Sequence, residues 1–366
     1  MRGFRGPYNL NVGKSPLQHA SKWTAAVCAV VCVHVLLSLL APRGFALTAF
    51  GDILQNLILL CAIGAVFSNV RQAAPKARLF WTLLGLGLGM WLAAQLMWTY
   101  LEVYLRHDVP NTFVGDVILF LHIVPMMAAV AIEPHVRQGE RRLREGTLDF
   151  ALLFTWWLFL YLFVVIPWQY VHPSELSYGR SFDLLYVSEE LVLATSLMLV
   201  WRRSHGAWRS LYFHLFVATL LYCVASLMAS EAIDLHLYYT GSLFDVPLVA
   251  GMVWFVRIGF LPREIVAQHP FEEVPSRGHE IWKARLAMVA VFITPLMMAW
   301  AQFGGDAPQK VRTYRLLLTV GIMLVMGTLV FFRQHLLDQE LLSLLRLSRQ
   351  NLSLIHISEP TRQAEI

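Results

Sequence analysis

Ten long apolar runs constrain this chain more than any other feature of its sequence. A helix needs about 20 mostly apolar residues to cross the hydrocarbon core of a bilayer, because each residue advances it by about 1.5 Å. Membrane strands are about ten residues long and alternate in hydropathy, so runs of this kind do not fit a barrel. We therefore predict an all-α membrane protein, a polytopic bundle of ten transmembrane helices over residues 23–332. The runs lie at Trp23–Ala41, Leu47–Val70, Leu79–Glu102, Val117–Ile132, Leu148–Val171, Leu184–Trp201, Leu211–Ala232, Leu243–Phe260, Leu286–Phe303 and Leu316–Phe332.

The overall composition agrees with a membrane protein. Apolar residues make up 57% of the chain and charged residues 14%, whereas soluble proteins have roughly 45–50% and about 25%. Disorder over most of the chain is excluded, because it requires low hydrophobicity and high net charge. Four cysteines are too few for a disulfide-rich scaffold.

Basic residues alternate between the two ends of the predicted spans. Loops on one side of the predicted bundle carry 21 Lys and Arg residues, and loops on the other side carry six, among them Arg315. Short loops rich in Lys and Arg stay in the cytoplasm. The pattern therefore predicts that both termini are cytoplasmic and that residues 1–22 form a cytoplasmic tail.

The segment after the last run predicts a signalling helix. Residues 333–351 contain no Pro or Gly, and Leu337, Leu341, Leu344 and Ser348 recur at spacings of four, three and four. That spacing is typical of the seam of a two-stranded coiled coil, so we expect a homodimer through this helix. The alternative is a solvated or interfacial helix without a partner.

The last 15 residues differ in character from the rest. Leu352–Arg362 reads as the in-frame translation of a transposase adapter used in DNA library preparation, and Gln363–Ile366 fits the adapter bases that follow. The alternative is an ordinary polar tail. We expect residues 352–366 to be an adapter artefact and the natural gene product to continue beyond Asn351.

Acidic residues gather at or near one end of the predicted spans. Ionisable groups within a span are costly and mostly face a bundle interior or water, so we take them as a candidate sensing cavity. The alternatives are interhelical hydrogen bonds and, for Asp52, Asp116, Asp183 and Asp245 near the starts of even-numbered runs, helix capping. The cavity residues are Asp52, Glu102, Asp116, Glu189, Glu190, Glu231 and Asp245.

Other motifs do not predict catalysis. His34, His122 and His214 stand alone, and no zinc, nucleotide-binding or nucleophile motif is visible. Gly85-Leu-Gly-Leu-Gly89 lies within a run and predicts close helix packing. We therefore predict no catalytic residue, no metal site and no nucleic-acid partner in this chain, whose surroundings are the lipid bilayer.

Two stretches, Trp98–Glu102 and Val109–Pro125, resemble the multi-span sensor regions of bacterial signalling proteins. In that group a Pro precedes an Asp that opens a helix, and a second Pro follows about nine positions later; here these are Pro110, Asp116 and Pro125. The chain departs from the group at Asn111-Thr112, where Pro-Ser is common.

This resemblance implies a function in signal transduction at the bacterial inner membrane. The implied protein is the input domain of a sensor histidine kinase, whose core beyond Asn351 would bind ATP and Mg²⁺ and act on a response regulator. Two alternatives stay open: the input domain of a diguanylate cyclase or phosphodiesterase, and a secondary transporter.

Overall fold

The structure is a computed structural model that describes residues 16–71, 73–107, 109–110, 113–134, 136–137, 143–265, 274–275, 280–303 and 307–358. Within these ranges the chain is almost entirely helical. The α-helices are α1 (Pro16–Leu40), α2 (Phe45–Val70), α3 (Pro75–Thr99), α4 (Gly115–Leu121), α5 (Ile123–Ile132), α6 (Leu143–Val164), α7 (Glu175–Arg203), α8 (Gly206–Asp234), α9 (Val246–Ile265), α10 (Glu280–Phe303) and α11 (Gln309–Ser358). The shorter elements are π-helices at Tyr100–Leu105 and Pro167–Val171, a 3-10 helix at Leu243–Asp245, and the two-residue strands β1 (Val136–Arg137) and β2 (Val274–Pro275).

Helices occupy the positions of all ten predicted runs, which confirms the all-α prediction. Among the described residues, eight helical segments are long and apolar enough to cross a membrane. In α1 and α10 the apolar stretches among the described residues are shorter, Ala25–Leu40 and Phe292–Phe303. Most of the predicted tail 1–22 lies outside the described residues, as do Asn111, Thr112 and residues 359–366.

The fourth predicted run is divided into two helices. α4 ends at Leu121 and α5 begins at Ile123, with His122 between them in a helical backbone conformation. Pro125 has no N–H to donate to the carbonyl of Leu121, so the regular hydrogen-bond ladder is interrupted there. The two helices still form one apolar segment, Gly115–Ile132.

The helices belong to two compact units, and the first comprises residues 1–135 and 183–274. In this unit α2 packs on α3 and α9, α8 packs on α9, and α3 packs on α5. Glycine allows close approach in the way the sequence predicted: a Cβ at Gly87 would lie 2.7 Å from the carbonyl oxygen of His122. Gly85 likewise lies against Phe67, whereas Gly89 has open space around it.

The second unit comprises residues 136–182 and 275–366, and its core is aromatic. Phe159 and Phe163 of α6 are buried there with Ala301 of α10. In this unit α11 packs on α6, on α10 and on the second π-helix. α7 contributes residues to both units, since the boundary falls between Phe182 and Asp183.

In the second unit, a buried arginine supplies a hydrogen bond to a backbone carbonyl that a proline leaves without its helical donor. Pro167 has no N–H, so the carbonyl of Phe163 lacks the donor that a regular helix would supply. Nε of Arg315 donates to that carbonyl at 3.0 Å, and the Arg315 guanidinium lies 5.0 Å from the centre of the Phe163 ring. The prediction that Arg315 lies in a loop is wrong, because this residue lies inside α11 and is only 8% exposed.

The predicted signalling helix is the continuation of α11. This helix runs without interruption for 50 residues, and its side chains from Arg333 onward are exposed or half-buried wherever they are described. Leu341 is exposed, Leu337 is half-buried, and the side chain of Leu344 lies outside the described set. The helical prediction for residues 333–351 is confirmed, and their pairing as a coiled coil stays a prediction.

Candidate functional site

The first unit holds two groups of buried acidic residues. We call Asp52, Glu102 and Asp245 the acidic end group, because they lie at one end of the unit beside the α8–α9 connection. Glu189 and Glu190, near the middle of α7, form the mid-helix acid pair. Five of the seven predicted cavity residues are thus accounted for by two separate groups.

The acidic end group is organised by the connection between α8 and α9. Gly241 in this connection has a φ of 87°, which favours glycine. Its N–H donates to Oδ2 of Asp245 at 2.7 Å, and the Tyr238 hydroxyl donates to Oδ1 at 2.9 Å. A Cβ added to Gly51 of α2 would lie 3.1 Å from Gly241 Cα, so a side chain at position 51 would push against this turn.

The other two carboxylates reach the same connection from α2 and the first π-helix. The Thr240 hydroxyl donates to Oε2 of Glu102 at 2.6 Å. Gln95 donates through Nε2 to Oδ1 of Asp52 at 3.3 Å. Asp52 is fully buried, and its Oδ2 has no hydrogen-bond partner among the described residues. Glu102 and Asp245 are the charged groups that act on it electrostatically.

The hydrogen-bond donors described here for the three carboxylates are neutral groups: the N–H of Gly241, the hydroxyls of Tyr238 and Thr240, and the amide of Gln95. Such a site can attract a proton, a cation or an amine, since a buried carboxylate is costly unless it is neutralised. Burial, the charge of Asp245 and the hydrogen bond to it raise the pKa of Tyr238, so this phenol stays neutral and acts as a donor. Arg43 flanks the group without joining it, with its guanidinium 4.3 Å from the Tyr239 ring centre.

The mid-helix acid pair lies deeper. Glu189 and Glu190 are both fully buried. They are about 14 residues from the start of α7, or about 21 Å along its axis. The side chains of Cys223 and Ser226 on α8 lie beside Glu190. Neither oxygen of Glu189 has a hydrogen-bond partner among the described residues.

A group of aromatic side chains adjoins the acid pair. The hydroxyls of Tyr186 and Tyr222 are hydrogen-bonded to each other. The Tyr222 ring lies 4.5 Å from the Trp91 ring and 5.6 Å from the His122 ring, measured between centroids. These tyrosines are not among the predicted site residues, because an aromatic residue in an apolar run gives no sign of what its hydroxyl contacts. The one available signal is spacing: Tyr186 precedes Glu189 by three residues, which places the two on neighbouring positions of one helix.

Asp116 and Glu231 lie outside both groups. Oδ2 of Asp116 accepts the backbone N–H of Phe113 at 3.1 Å, in the turn before α4. Oδ2 of Asp245 likewise accepts the N–H of Gly241, which precedes the 3-10 helix. Neither bond reaches the first N–H groups of a helix, so capping stays a prediction for both residues. Glu231 is exposed near the end of α8. Capping is wrong for Asp52 and Asp183, because α2 and α7 begin at Phe45 and Glu175, well before them.

The described residues form no candidate metal site. Among them, no three His, Cys, Asp or Glu side chains come together in a way that could hold a metal ion. His34 stacks near Phe50, with 6.5 Å between ring centroids, and His122 belongs to the aromatic group.

Comparison with known proteins gives no further guide: no protein-family model, no curated protein and no solved structure matches this chain.

Proposed function

We propose that the chain is the membrane input domain of a bacterial sensor histidine kinase, with ten spans in the inner membrane and both termini in the cytoplasm. The observation that supports this most is α11, a single helix of 50 residues. Its residues 309–351, without the adapter-like residues that follow, are about 65 Å long, which is more than twice the roughly 30 Å of a bilayer core, so a large part extends beyond the membrane.

The exit of α11 is fixed by an ion pair within the second unit. Nε of Arg333, directly after the last apolar run, lies 2.7 Å from Oδ1 of Asp149 on α6. A continuous helix anchored where it leaves a bundle can convert a small shift of that bundle into a shift of whatever follows it. A transporter has less need of such an extension.

In this proposal the acidic groups of the first unit receive the stimulus and α11 delivers the output. Two copies pair through Leu337, Leu341 and Leu344, and the core that follows Asn351 uses ATP and Mg²⁺ to phosphorylate itself and then a response regulator. The kinase, its nucleotide and its regulator are implied by the sequence resemblance, and α11 supplies the mechanical link that such a protein requires.

The proposed relay is tested by rotating the end of α11 relative to its beginning. Residues 1–351 are fused to the catalytic core of a histidine kinase, and one to seven alanines are inserted between Gln339 and Glu340. We expect autophosphorylation to change by fivefold or more with two or five inserted residues, because these rotate the following helix by roughly half a turn, and to return with seven, which is close to two full turns. A fivefold change is at the lower end of the range typical of allosteric coupling (about 5–150-fold). Activity that is independent of the inserted length would refute the relay.

The mid-helix acid pair supports a secondary transporter as a second candidate. Buried carboxylates in mid-membrane are typical of proton and ion pathways in transporters. Reading the same locus from an intact genomic clone separates the candidates. A phosphoacceptor His and an ATP-binding domain after Asn351 support the kinase, a cyclase or phosphodiesterase module supports that alternative, and a stop codon supports the transporter.

A further inference from the structure

Polar side chains form a seam between α7 and α8 that leads from one end of these helices to the acid pair. Near the start of α7, the Ser230 hydroxyl donates to Oδ1 of Asp183 at 3.0 Å. One turn further along α7, Tyr186 contacts Tyr222 of α8 through their hydroxyls. The seam continues at Glu190, which lies beside Ser226 and Cys223. We call these residues the α7–α8 seam.

Among the described residues, no positive charge compensates the acid pair at the inner end of this seam. Glu189 and Glu190 repel each other, and no described Lys, Arg or His is among the groups that act on either carboxylate. In addition, no described residue donates a hydrogen bond to either oxygen of Glu189, although the side chain is fully buried. Two ionised carboxylates cannot be accommodated in such surroundings without a bound positive ligand.

Besides Ser226, the side chains that act on the pair in the described part of the chain are titratable but neutral groups. Tyr186 faces it from α7 itself, and Tyr222 and Cys223 face it from α8. Behind Tyr222 lie Trp91 of α3 and His122 between α4 and α5. Phenols and a thiol can pass or share a proton, but they carry no positive charge.

We propose that Glu189 and Glu190 form a proton-binding site, reached along the α7–α8 seam from its Asp183–Ser230 end. A proton from water joins a carboxylate oxygen of the pair, which gains an O–H bond and loses its negative charge. The pair therefore holds at least one proton at neutral pH. A hard metal cation would need about six oxygen ligands, and the described residues supply no group of three acidic, His or Cys ligands.

This site deepens the proposed function, because it would make protonation the stimulus of the input domain. Proton binding itself does not depend on the input-domain proposal. The infrared test uses the chain without a kinase, so proton binding and the signalling function can fail independently.

The test is infrared spectroscopy of the purified chain in lipid nanodiscs. We expect the carbonyl stretch of a protonated carboxylic acid at neutral pH, shifted in D₂O, with intensity that falls in Glu189→Gln and Glu190→Gln and falls further in the double variant. Glutamine resembles a protonated glutamate in size and hydrogen bonding, so these variants keep the packing. Glu231→Gln is the matched control, since Glu231 is exposed near the end of α8, and its spectrum should equal that of the wild type.

Two results would overturn the proposal. One is a wild-type spectrum at neutral pH that the double variant reproduces in full. The other is a carboxylic-acid band that disappears when NaCl replaces choline chloride, which would assign the pair to an alkali cation. If a glutamine variant fails to fold, the wild type alone still decides, because a spectrum without any carboxylic-acid band at neutral pH refutes the site.

The seam is tested by the rate of exchange. Asp183→Asn and Ser226→Ala should slow the D₂O shift of the band at least several-fold while leaving its intensity unchanged, and Ser188→Ala, on an exposed part of α7, should not. Equal rates in all three variants would show that protons reach the pair by another route.

Discussion

The carboxylates of this chain differ in role according to where their helices begin. Asp116 lies in the first turn of α4 and Asp245 at the end of the 3-10 helix, and each accepts a backbone N–H from the segment before its helix. Asp52 and Asp183 occupy similar sequence patterns, yet their helices begin seven and eight residues earlier, so they lie inside. A Gly-Asp or Phe-Asp pattern cannot distinguish these cases, because helix starts are the least certain part of a sequence-based prediction.

The Tyr238 hydroxyl gives the first prediction at the residue scale. Tyr238→Phe removes the donor to Asp245 Oδ1, and loss of one hydrogen bond to a buried charged group should lower the free energy of unfolding by about 1.5–3 kcal/mol. Thermal unfolding in detergent at neutral pH measures it. Tyr239→Phe, which keeps the ring under Arg43, should change stability little; equal effects of the two variants would contradict this role.

The same tyrosine predicts a dependence on pH. Burial and Asp245 raise the pKa of Tyr238 in the folded protein, while in the unfolded chain the phenol ionises near pH 10. The unfolded wild type therefore gains stability relative to the folded form as pH rises above about 10. We expect the advantage of the wild type over Tyr238→Phe to be full at pH 8 and to shrink above pH 10. A constant difference across this range would contradict the burial of the hydroxyl.

At the scale of elements, the positions of the helices were predictable and their contacts were not. Hydropathy placed all ten runs, since an apolar stretch of this length has few alternatives to a helix in a bilayer. The pairing of Tyr186 with Tyr222 and of Arg315 with the Phe163 carbonyl depends on which helices become neighbours. That information is spread over many apolar contacts and does not reside in any short motif.

The hydrogen bond from Arg315 should stabilise the junction between α6 and the second π-helix, and its loss should lower the free energy of unfolding. Arg315→Leu leaves the Phe163 carbonyl without a donor, and an unsatisfied buried acceptor costs about 1–3 kcal/mol. The melting temperature of the purified protein should fall accordingly. Lys310→Leu, at an exposed position one turn earlier in α11, is the matched control, and a similar loss in both variants would argue against a specific role.

The Arg333–Asp149 ion pair should matter more for output than for stability. The pair is partly exposed, with side-chain exposures of 12% and 37%, and such pairs contribute about 1 kcal/mol or less. In the kinase fusion, Arg333→Asp should alter autophosphorylation, and the exchange Arg333→Asp with Asp149→Arg should restore it. Arg346→Asp is the control on the exposed part of α11. Failure of the exchange to restore activity would mean that the pair does not position the helix.

At the scale of the whole molecule, the proposed function depends on which side of the membrane each end of α11 occupies. The distribution of 21 basic residues against six predicts that the chain enters α11 from the outer side and leaves it in the cytoplasm. A relay into a cytoplasmic kinase is feasible only with this orientation.

Reporter fusions after Phe332 and after Phe303 test that orientation most directly. Green fluorescent protein folds to its fluorescent form in the cytoplasm, and alkaline phosphatase becomes active in the periplasm. We predict fluorescence and no phosphatase activity after Phe332, and the reverse after Phe303. Phosphatase activity after Phe332 would contradict the proposed topology, and with it the function as a cytoplasmic signal input.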